Sequence, residues 1–387
     1  MSFKDNIKYC SRCLMPETQE GVSFDDLGIC TACQSSEDKM HIDWSKREKT
    51  LKKILSDAKK KSGNNYDCIL PISGGKDSFF QAHILTKIYN VKPLAVTFNH
   101  NWYSETGFYN LQLCLEKFNL DHIQFTPARN LVAKTAKESL KKIGDSCWHC
   151  HSGVGAFPIQ VATKFNIPLL IWGENVSETS GRDKYGSSKF KYDKDFFVKI
   201  SAKKTPDQMV TKNLTKKDLF PFELPSQNEV DKIGCVGIHL GDFIFWDDEK
   251  QVEFIKKEYG WKETKMEGTY KNYKSVECIM AGVHDFTCYL KRGFGRTTWQ
   301  ACQDIRRGLL TKSEGEKLVE MHDSERPEAL DYYLKITGYS EKEFLEIMND
   351  KKVDKLKKES LPIKAKKTKH VEKLIPHSEQ IITKDIK

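Results

Sequence analysis

The feature that most constrains this chain is a six-residue loop, Ser73-Gly74-Gly75-Lys76-Asp77-Ser78, which stands between an apolar run and an amphipathic segment. Residues 67–72 are predicted to form a buried strand, and after the loop the hydrophobic period changes from about 2 to about 3.6 residues. Two adjacent glycines permit a tight turn from strand to helix. The loop therefore predicts the first βα unit of a parallel sheet.

The alternation of strand and helix patterns continues beyond this unit. Strands are predicted at 94–99, 122–126, 168–172 and 235–240, and helices at 77–90, 105–118, 130–143 and 153–165. Repeated βα units are typical of an α/β fold with a doubly wound parallel sheet. After residue 250 the pattern is mainly helical.

The composition of the loop indicates what it binds. Successive backbone N–H groups at a helix N-terminus favour an anion, and a pyrophosphate fits this description. Lys76 supplies a cation, Ser73 and Ser78 can donate hydrogen bonds, and Asp77 can cap the helix or hold Mg2+. The Walker A spacing is absent. The alternative is an ordinary glycine-rich turn.

The loop resembles that of the PP-loop ATP pyrophosphatases, an adenine nucleotide alpha hydrolase-like group. The resemblance implies that a substrate oxygen attacks the α-phosphate of ATP, that pyrophosphate leaves, and that a nucleophile then displaces AMP. It assigns residues 73–78, which include Gly74 and Gly75, to pyrophosphate binding. Lys76 and Asp77 are the implied catalytic residues.

A second loop, Gly173-Glu174-Asn175-Val176-Ser177-Glu178, follows the predicted fourth strand. It is similar to a loop of NAD synthetase but is one residue shorter. The similarity implies that Gly173 approaches the nucleotide and that Glu174 or Glu178 joins Asp77 in binding Mg2+. The alternative is a polar turn at the end of a strand.

Two Cys-x-x-Cys pairs near the N-terminus, Cys10 with Cys13 and Cys30 with Cys33, have the spacing of a zinc ribbon. The segment contains too few apolar residues to fold without a bound metal. Four thiolates leave no open position on a zinc ion, so the predicted zinc is structural. An iron-sulfur site is the alternative.

Two further clusters are candidates for the substrate site. The segment 147–151 offers two thiols and two imidazoles, which can pack at a helix start, contact a substrate or hold a metal or cluster. The arginines near residue 294 can grip a phosphate or carboxylate, or can form surface salt bridges. The candidates are Cys147, His149, Cys150, His151, Arg292 and Arg296.

Length and charge suggest the division of the chain. The predicted units are a zinc ribbon at 1–43, a PP-loop domain at 44–250 with an insertion at 180–226 that acts as a lid or partner surface, a mainly helical region at 251–348, and a Lys-rich disordered tail at 349–387. Residues 351–387 hold twelve Lys against five Asp or Glu and so carry +7 of the net charge of +9. The nearly neutral body argues against a nucleic-acid partner.

The N-terminus lacks a signal-peptide pattern, and no apolar run approaches the roughly 20 residues that span a bilayer. We therefore expect a cytoplasmic protein without membrane insertion, in which the twelve cysteines are reduced.

The ordered set of motifs resembles the N-acetyl sugar amidotransferases over roughly residues 8–346. The set comprises Cys-Ser-Arg-Cys-Leu-Met-Pro, Gly-Ile-Cys-Thr-Ala-Cys, the loop, Cys-Trp-His-Cys-His-Ser-Gly, Trp-Gly-Glu-Asn and Arg-Gly-Phe-Gly-Arg. The resemblance implies conversion of an acetamido sugar or sugar nucleotide to an acetamidino sugar for bacterial lipopolysaccharide O-antigen or flagellin glycans. It also implies ammonia from separate glutaminase and cyclase-like barrel subunits.

Two other functions compete with this interpretation. Enzymes of tRNA 2-thiolation also combine a zinc ribbon, a PP-loop and Cys-x-x-Cys, and they predict a basic face and an iron-sulfur cluster. A nucleotide-sensing scaffold would bind ATP without chemistry, which Lys76 and Asp77 disfavour.

Overall fold

The computed structural model describes residues 6–173, 185, 189–192 and 202–365. Within these residues, six strands form one sheet in the order β3-β2-β1-β4-β6-β5. The strands are β1 Cys68–Pro71, β2 Pro93–Phe98, β3 His122–Phe125, β4 Leu169–Trp172, β5 Phe190–Lys191 and β6 Val236–His239. The short edge strand β5 is antiparallel to β6, and the other pairings are parallel. The predicted α/β fold with a parallel sheet is confirmed.

Helices connect and surround these strands. Up to β6 they are α1 Thr31–His41, α2 Trp44–Ser62, α3 Lys76–His83, α4 Glu105–Phe118, α5 Arg129–Ile143, α6 Trp148–Phe165, α7 Pro206–Met209, α8 Lys216–Leu219 and α9 Gln227–Ile233. After β6 they are α10 Asp248–Tyr259, α11 Ala281–Arg292, α12 Arg296–Arg306, α13 Lys312–His322, α14 Ala329–Thr337 and α15 Glu341–Asp350. None of the helices in the described residues is long and apolar enough to cross a membrane.

Both faces of the sheet are covered, as alternating strand residues show. Leu70 of β1 points into a core shared with α2, α3, α4 and α10, while its neighbour Ile69 points into a core shared with α6. Successive side chains of a strand face opposite sides, so helices bury both faces. Because β1, β2, β4 and β6 run parallel, their carboxyl ends lie side by side at one end of the sheet, here called the carboxyl edge.

The N-terminal segment and the C-terminal helices form one packed layer beside this edge. The four cysteines of the N-terminal pairs are buried against Ala301 and Cys302 of α12 and Val319 of α13. Helix α5 packs its Val132, Ala136 and Leu140 against α11, α14 and α15. The N-terminal segment is thus built into the core that the C-terminal helices form.

The predicted insertion at 180–226 is described in part. Residues Met209, Leu214, Leu219 and Phe222 are buried against α6 and the end of β2, where they cover Trp148. This part of the insertion therefore covers the core beside α6 and the end of β2.

The chain after α15 differs from the predicted disordered tail as far as residue 365. Leu356 and Leu361 are buried, and Lys364 pairs with Glu325 in a short parallel bridge. Net charge predicts solvation of the whole segment, but two spaced leucines bury enough apolar surface to anchor it. Residues 366–387 lie outside the described part of the chain.

Candidate functional site

The loop at residues 73–78 follows β1 and runs into the first turn of α3, which begins at Lys76. Two of its carbonyl groups are engaged elsewhere, because the Tyr103 hydroxyl donates to Ser73 O at 2.9 Å and the Trp261 indole donates to Gly74 O at 3.0 Å. Gly75 precedes the helix without a side-chain cap. The start of α3 lines the adjoining cavity, and the positive end of a helix favours an anion there.

Gly74 is the loop residue whose position only a glycine can occupy. Its φ is +84°, and a Cβ there would lie 2.5 Å from the carbonyl oxygen of Gly107. A Cβ on Gly107 would in turn lie 2.2 Å from the Cα of Glu277. The loop, the start of α4 and the chain around residue 277 are therefore packed backbone to backbone, which only glycine allows.

Lys76 lies at the centre of a buried charge network. Its ammonium contacts Asp77 and lies 3.4 Å from Asp248 Oδ1, and Lys274 pairs with the other oxygen of Asp248. Burial opposes ionisation of Asp248, but Lys274 and Lys76 outweigh burial and hold the pKa of this carboxyl well below its ordinary value. The Trp246 indole donates to Asp77 at 3.3 Å. The two lysines and two carboxylates are thus fixed beside the loop.

A cavity of about 370 Å3, here called the loop cavity, opens in front of these residues. Its far wall comes from the irregular segment 273–277 and from α12. It is lined by Ser73, Gly75, Lys76, Asp77, Ser78, Tyr273, Lys274, Ser275, Glu277, Arg296, Trp299, Gln300 and Gln303. Three cations and many hydrogen-bond donors suit a ligand with several anionic oxygens.

Arg296 is held in the loop cavity by a bidentate contact. Its guanidinium pairs with both oxygens of Asp285 and donates to Ser275 Oγ at 3.0 Å. Ser275 has a φ of +56°, a conformation that residues other than glycine seldom adopt and that tends to occur at functional sites.

A second cavity of about 360 Å3, the strand-end cavity, lies over the carboxyl ends of β1, β2, β4 and β6. It shares Ser73, Asp77, Ser78 and Glu277 with the loop cavity. Much of its wall is apolar and consists of Ile72, Val96, Phe98, Val154, Pro158 and Trp172. Ligands of open α/β sheets bind at this edge, and the apolar wall suits a planar aromatic ring.

Glu277 stands where the two cavities meet. Its Oε2 is buried without a hydrogen-bond partner, and burial raises the pKa of its carboxyl against the lowering effect of Arg296. A buried carboxyl with a raised pKa next to a cavity is suited to accept or donate a proton.

The four N-terminal cysteines converge as the sequence predicts. All four sulfur atoms lie within 4.8 Å of one another, with Cys10 to Cys33 at 3.8 Å and Cys13 to Cys30 at 3.7 Å. A tetrahedron with Zn–S bonds of about 2.3 Å has edges of about 3.8 Å. The Cys30 N–H points to Cys10 Sγ at 3.2 Å, and such donors stabilise bound thiolates. The buried group can therefore hold a structural zinc ion.

The residues predicted for the substrate site lie in different parts of the structure. His149 is buried against Trp102, and Cys147 belongs to the core between α5 and the C-terminal helices. Cys150 lines the strand-end cavity. His151 and Arg292 line a third cavity of about 210 Å3, here called the side cavity, whereas Arg296 lines the loop cavity.

The predicted residues of the second loop are described only at its start. Gly173 directly follows β4 and lines the strand-end cavity, close to Gln81 and Trp246. Glu174 and Glu178 lie outside the described residues.

Sequence reasoning missed Asp248, Lys274 and Glu277. Asp248 follows the last parallel strand of the sheet, and residues after such strands meet at the carboxyl edge, so its position was a usable signal. Lys274 and Glu277 lie in a segment without periodicity, which carried no comparable signal.

Comparison with known proteins bears on the C-terminal part of the chain. Residues 267–370, just over a quarter of the sequence, match a family model described as "LPS biosynthesis protein WbpG-like, C-terminal domain". The match supports a role in glycan biosynthesis. It includes Lys274, Glu277 and Arg296 of the loop cavity but not the loop itself, and it gives no support to tRNA thiolation.

Over 113 residues the chain is 27% identical to an uncharacterized protein of Methanocaldococcus jannaschii. These residues cover 29% of this chain and 40% of that protein.

Proposed function

We propose that this protein is an ATP-dependent, AMP-forming amidotransferase that converts the acetamido group of a sugar to an acetamidino group in bacterial surface-glycan biosynthesis. The observation that carries the proposal is the junction of the two cavities at residues 73–78. A nucleotide in the strand-end cavity and a polar sugar in the loop cavity would meet at this loop.

The division of chemistry between the cavities supports this arrangement. The apolar strand-end cavity suits adenine, while Lys76, Lys274 and Arg296 suit phosphates and a polar sugar. Of the three residues predicted to bind Mg2+, Asp77 is the one that the structure describes, and Mg2+ bound there would neutralise charge on the departing pyrophosphate. The glycan-biosynthesis match of residues 267–370 is consistent with a sugar substrate.

The proposed reaction has two displacements. The acetamido oxygen attacks the α-phosphorus of ATP, the bond to pyrophosphate breaks, and the amide nitrogen releases its proton to solvent, which gives a neutral O-adenylyl imidate. Ammonia then adds to the imidate carbon, loses a proton, and expels AMP to leave the amidine. Lys76 would stabilise charge that develops on the phosphates, and Glu277 would accept the proton.

Isotope transfer tests this scheme. Full-length enzyme is incubated with ATP, ammonium and an acetamido sugar labelled with 18O in the carbonyl group. We expect the label in the phosphate of AMP, with pyrophosphate as co-product. Formation of ADP and phosphate, or unlabelled AMP in an ammonium-dependent turnover, would contradict the proposal.

The source of ammonia is tested separately. We propose that separate glutaminase and cyclase-like barrel subunits deliver it, since the sequence shows no Gly-x-Cys-x-Gly nucleophile elbow. The isolated chain should accept ammonium salts and fail with glutamine. Glutamine-dependent turnover by the isolated chain would contradict this part.

Replacing Glu277 with Gln is expected to lower kcat by about 10²- to 10⁴-fold, because the proton of the attacking ammonia loses its acceptor. Burial raises the pKa of this carboxyl, so it is protonated at pH values where an exposed Glu is ionised. A base works only when ionised, and wild-type kcat should therefore fall as the pH drops through this pKa. The variant should lack that acidic limb in its pH–rate profile.

Glu263→Gln is the control for this change, because Glu263 is exposed and also lies in the chain between α10 and α11. It should keep both the rate and the pH profile. An unchanged acidic limb in Glu277→Gln would assign the proton transfer to another group.

A further inference from the structure

Three side chains that the proposed reaction does not use converge in the side cavity. Asp145 lies between α5 and α6, His151 is in the first turn of α6, and His284 is on α11. One ligand atom from each lies within 4.8 Å of the others. The two imidazole rings are nearly perpendicular, with centroids 5.1 Å apart. All three residues line the cavity of about 210 Å3.

Each side of this group is supported by a further contact. One oxygen of Asp145 accepts the Cys147 N–H at 2.6 Å, and the other lies 3.8 Å from His151 Nδ1. His284 Nδ1 lies 3.3 Å from Asp285, which leaves Nε2 of that ring for a ligand. A histidine whose second nitrogen contacts a carboxylate is the usual arrangement around a bound metal.

We propose that Asp145, His151 and His284 bind a divalent first-row transition metal ion of the zinc or iron class. Two imidazoles and one carboxylate are a common ligand set for such ions, and three protein ligands leave coordination positions open. Bonds of about 2.0 Å in tetrahedral geometry require ligand atoms about 3.3 Å apart. The separation of 3.8 Å between Asp145 and His151 therefore needs to close by only about half an ångström.

The charged side chains of the side cavity determine which ligand would occupy the open coordination positions of the metal. Lys203, Lys291 and Arg292 line it together with the metal-binding group. Glu20 pairs with both Lys203 and Arg292, and it offsets part of this positive charge. The remaining cations add to the positive charge of the metal, which the single Asp145 carboxylate neutralises only in part. An anionic oxygen ligand, such as hydroxide or a carboxylate, is therefore the expected occupant.

The metal site is connected to the loop cavity through two residues. Trp299 lines both cavities. Asp285 contacts His284 on one side and Arg296 of the loop cavity on the other. A change at the metal site would consequently alter the support of Arg296.

The test is metal analysis of the untagged, full-length protein, with zinc as the probe. Wild type should hold about two equivalents per chain, one at the four thiolates and one at the new site. His284→Gln and the more exposed His151→Gln should each lose about one equivalent while they keep the thiolate-bound metal. His322→Gln, which removes a histidine that pairs with Glu325 elsewhere, should lose none.

Cobalt spectra separate the two sites without reference to enzymatic activity. Brief treatment with EDTA should empty the open site before the buried thiolate site, and added Co2+ should then give visible d–d bands without sulfur-to-cobalt charge transfer. These bands should be absent in His151→Gln and His284→Gln. If the histidine variants retain the metal content and the spectrum of wild type, the three side chains form only an ion-pair cluster and the proposal is wrong.

Discussion

Replacement of Lys76 with Met is expected to lower the rate of AMP formation by about 10²- to 10³-fold, the range observed when one preorganised electrostatic group is removed from an active site. Its ammonium is fixed between Asp77 and Asp248 at the edge of the loop cavity. The pairing means that the charge is oriented before the substrate arrives. Met keeps much of the side-chain volume, so the change removes charge rather than packing. The measurement is the initial rate of AMP release at saturating ATP.

Stability has to be followed in the same variant, because Lys76 also compensates a buried carboxylate. Asp248 keeps its second partner, Lys274, so the fold should survive the change. Lys87→Met is the matched control, since Lys87 is exposed in the turn that continues the same helix. It should leave the rate unchanged. A Lys76→Met enzyme that retains the wild-type rate would show that this ammonium is not needed for AMP formation.

Much of the sheet could be predicted because each strand is short, apolar and bounded by polar turns. The predicted strand at 67–72 contains β1, and the predicted helix at 105–118 has the bounds of α4. In such a fold the ends of parallel strands meet at one edge, and a motif that follows a strand is thereby located in space. The positions of residues 73–78 and of Gly173 at this edge could therefore be predicted.

The surroundings of the individual side chains at residues 147–151 could not be predicted in the same way. The sequence suggested a helix beginning near residue 153, but α6 begins at Trp148. Successive residues of a helix point in directions about 100° apart, so neighbouring polar side chains meet different surroundings. Cys150 and His151 accordingly reach two different cavities, although they are adjacent in the chain.

The far wall of the loop cavity depends on contacts between distant parts of the chain. The segment around Glu277 pairs with the chain after β2, where Tyr103 and Cys278 form an isolated antiparallel bridge. Such a contact leaves no periodic pattern in either segment. Composition and spacing could therefore predict the loop side of the site, while the opposite side required the fold.

Replacement of Cys10 with Ser is expected to remove about one equivalent of zinc and to lower the free energy of unfolding by more than about 4 kcal/mol. Structural zinc contributes about 10–16 kcal/mol to the folding of isolated zinc-finger peptides, and here the ligands are also part of a larger core. The four cysteines pack against Ala301 and Cys302 of α12 and Val319 of α13. Loss of the metal should consequently loosen α12, the helix that carries Arg296 and Trp299.

The measurements are zinc content and the denaturant midpoint of the full-length variant. Cys235→Ser is the control, because Cys235 is buried in the core beside α6 and belongs to none of the described metal-binding groups. Cys235→Ser should keep its zinc and should lower the free energy of unfolding by no more than about 3 kcal/mol, the upper end of the usual range for single substitutions. If Cys10→Ser retained both its zinc and its midpoint, the cysteines would be a packed apolar cluster. Stability without metal would then have to come from their contacts with α12 and α13 alone.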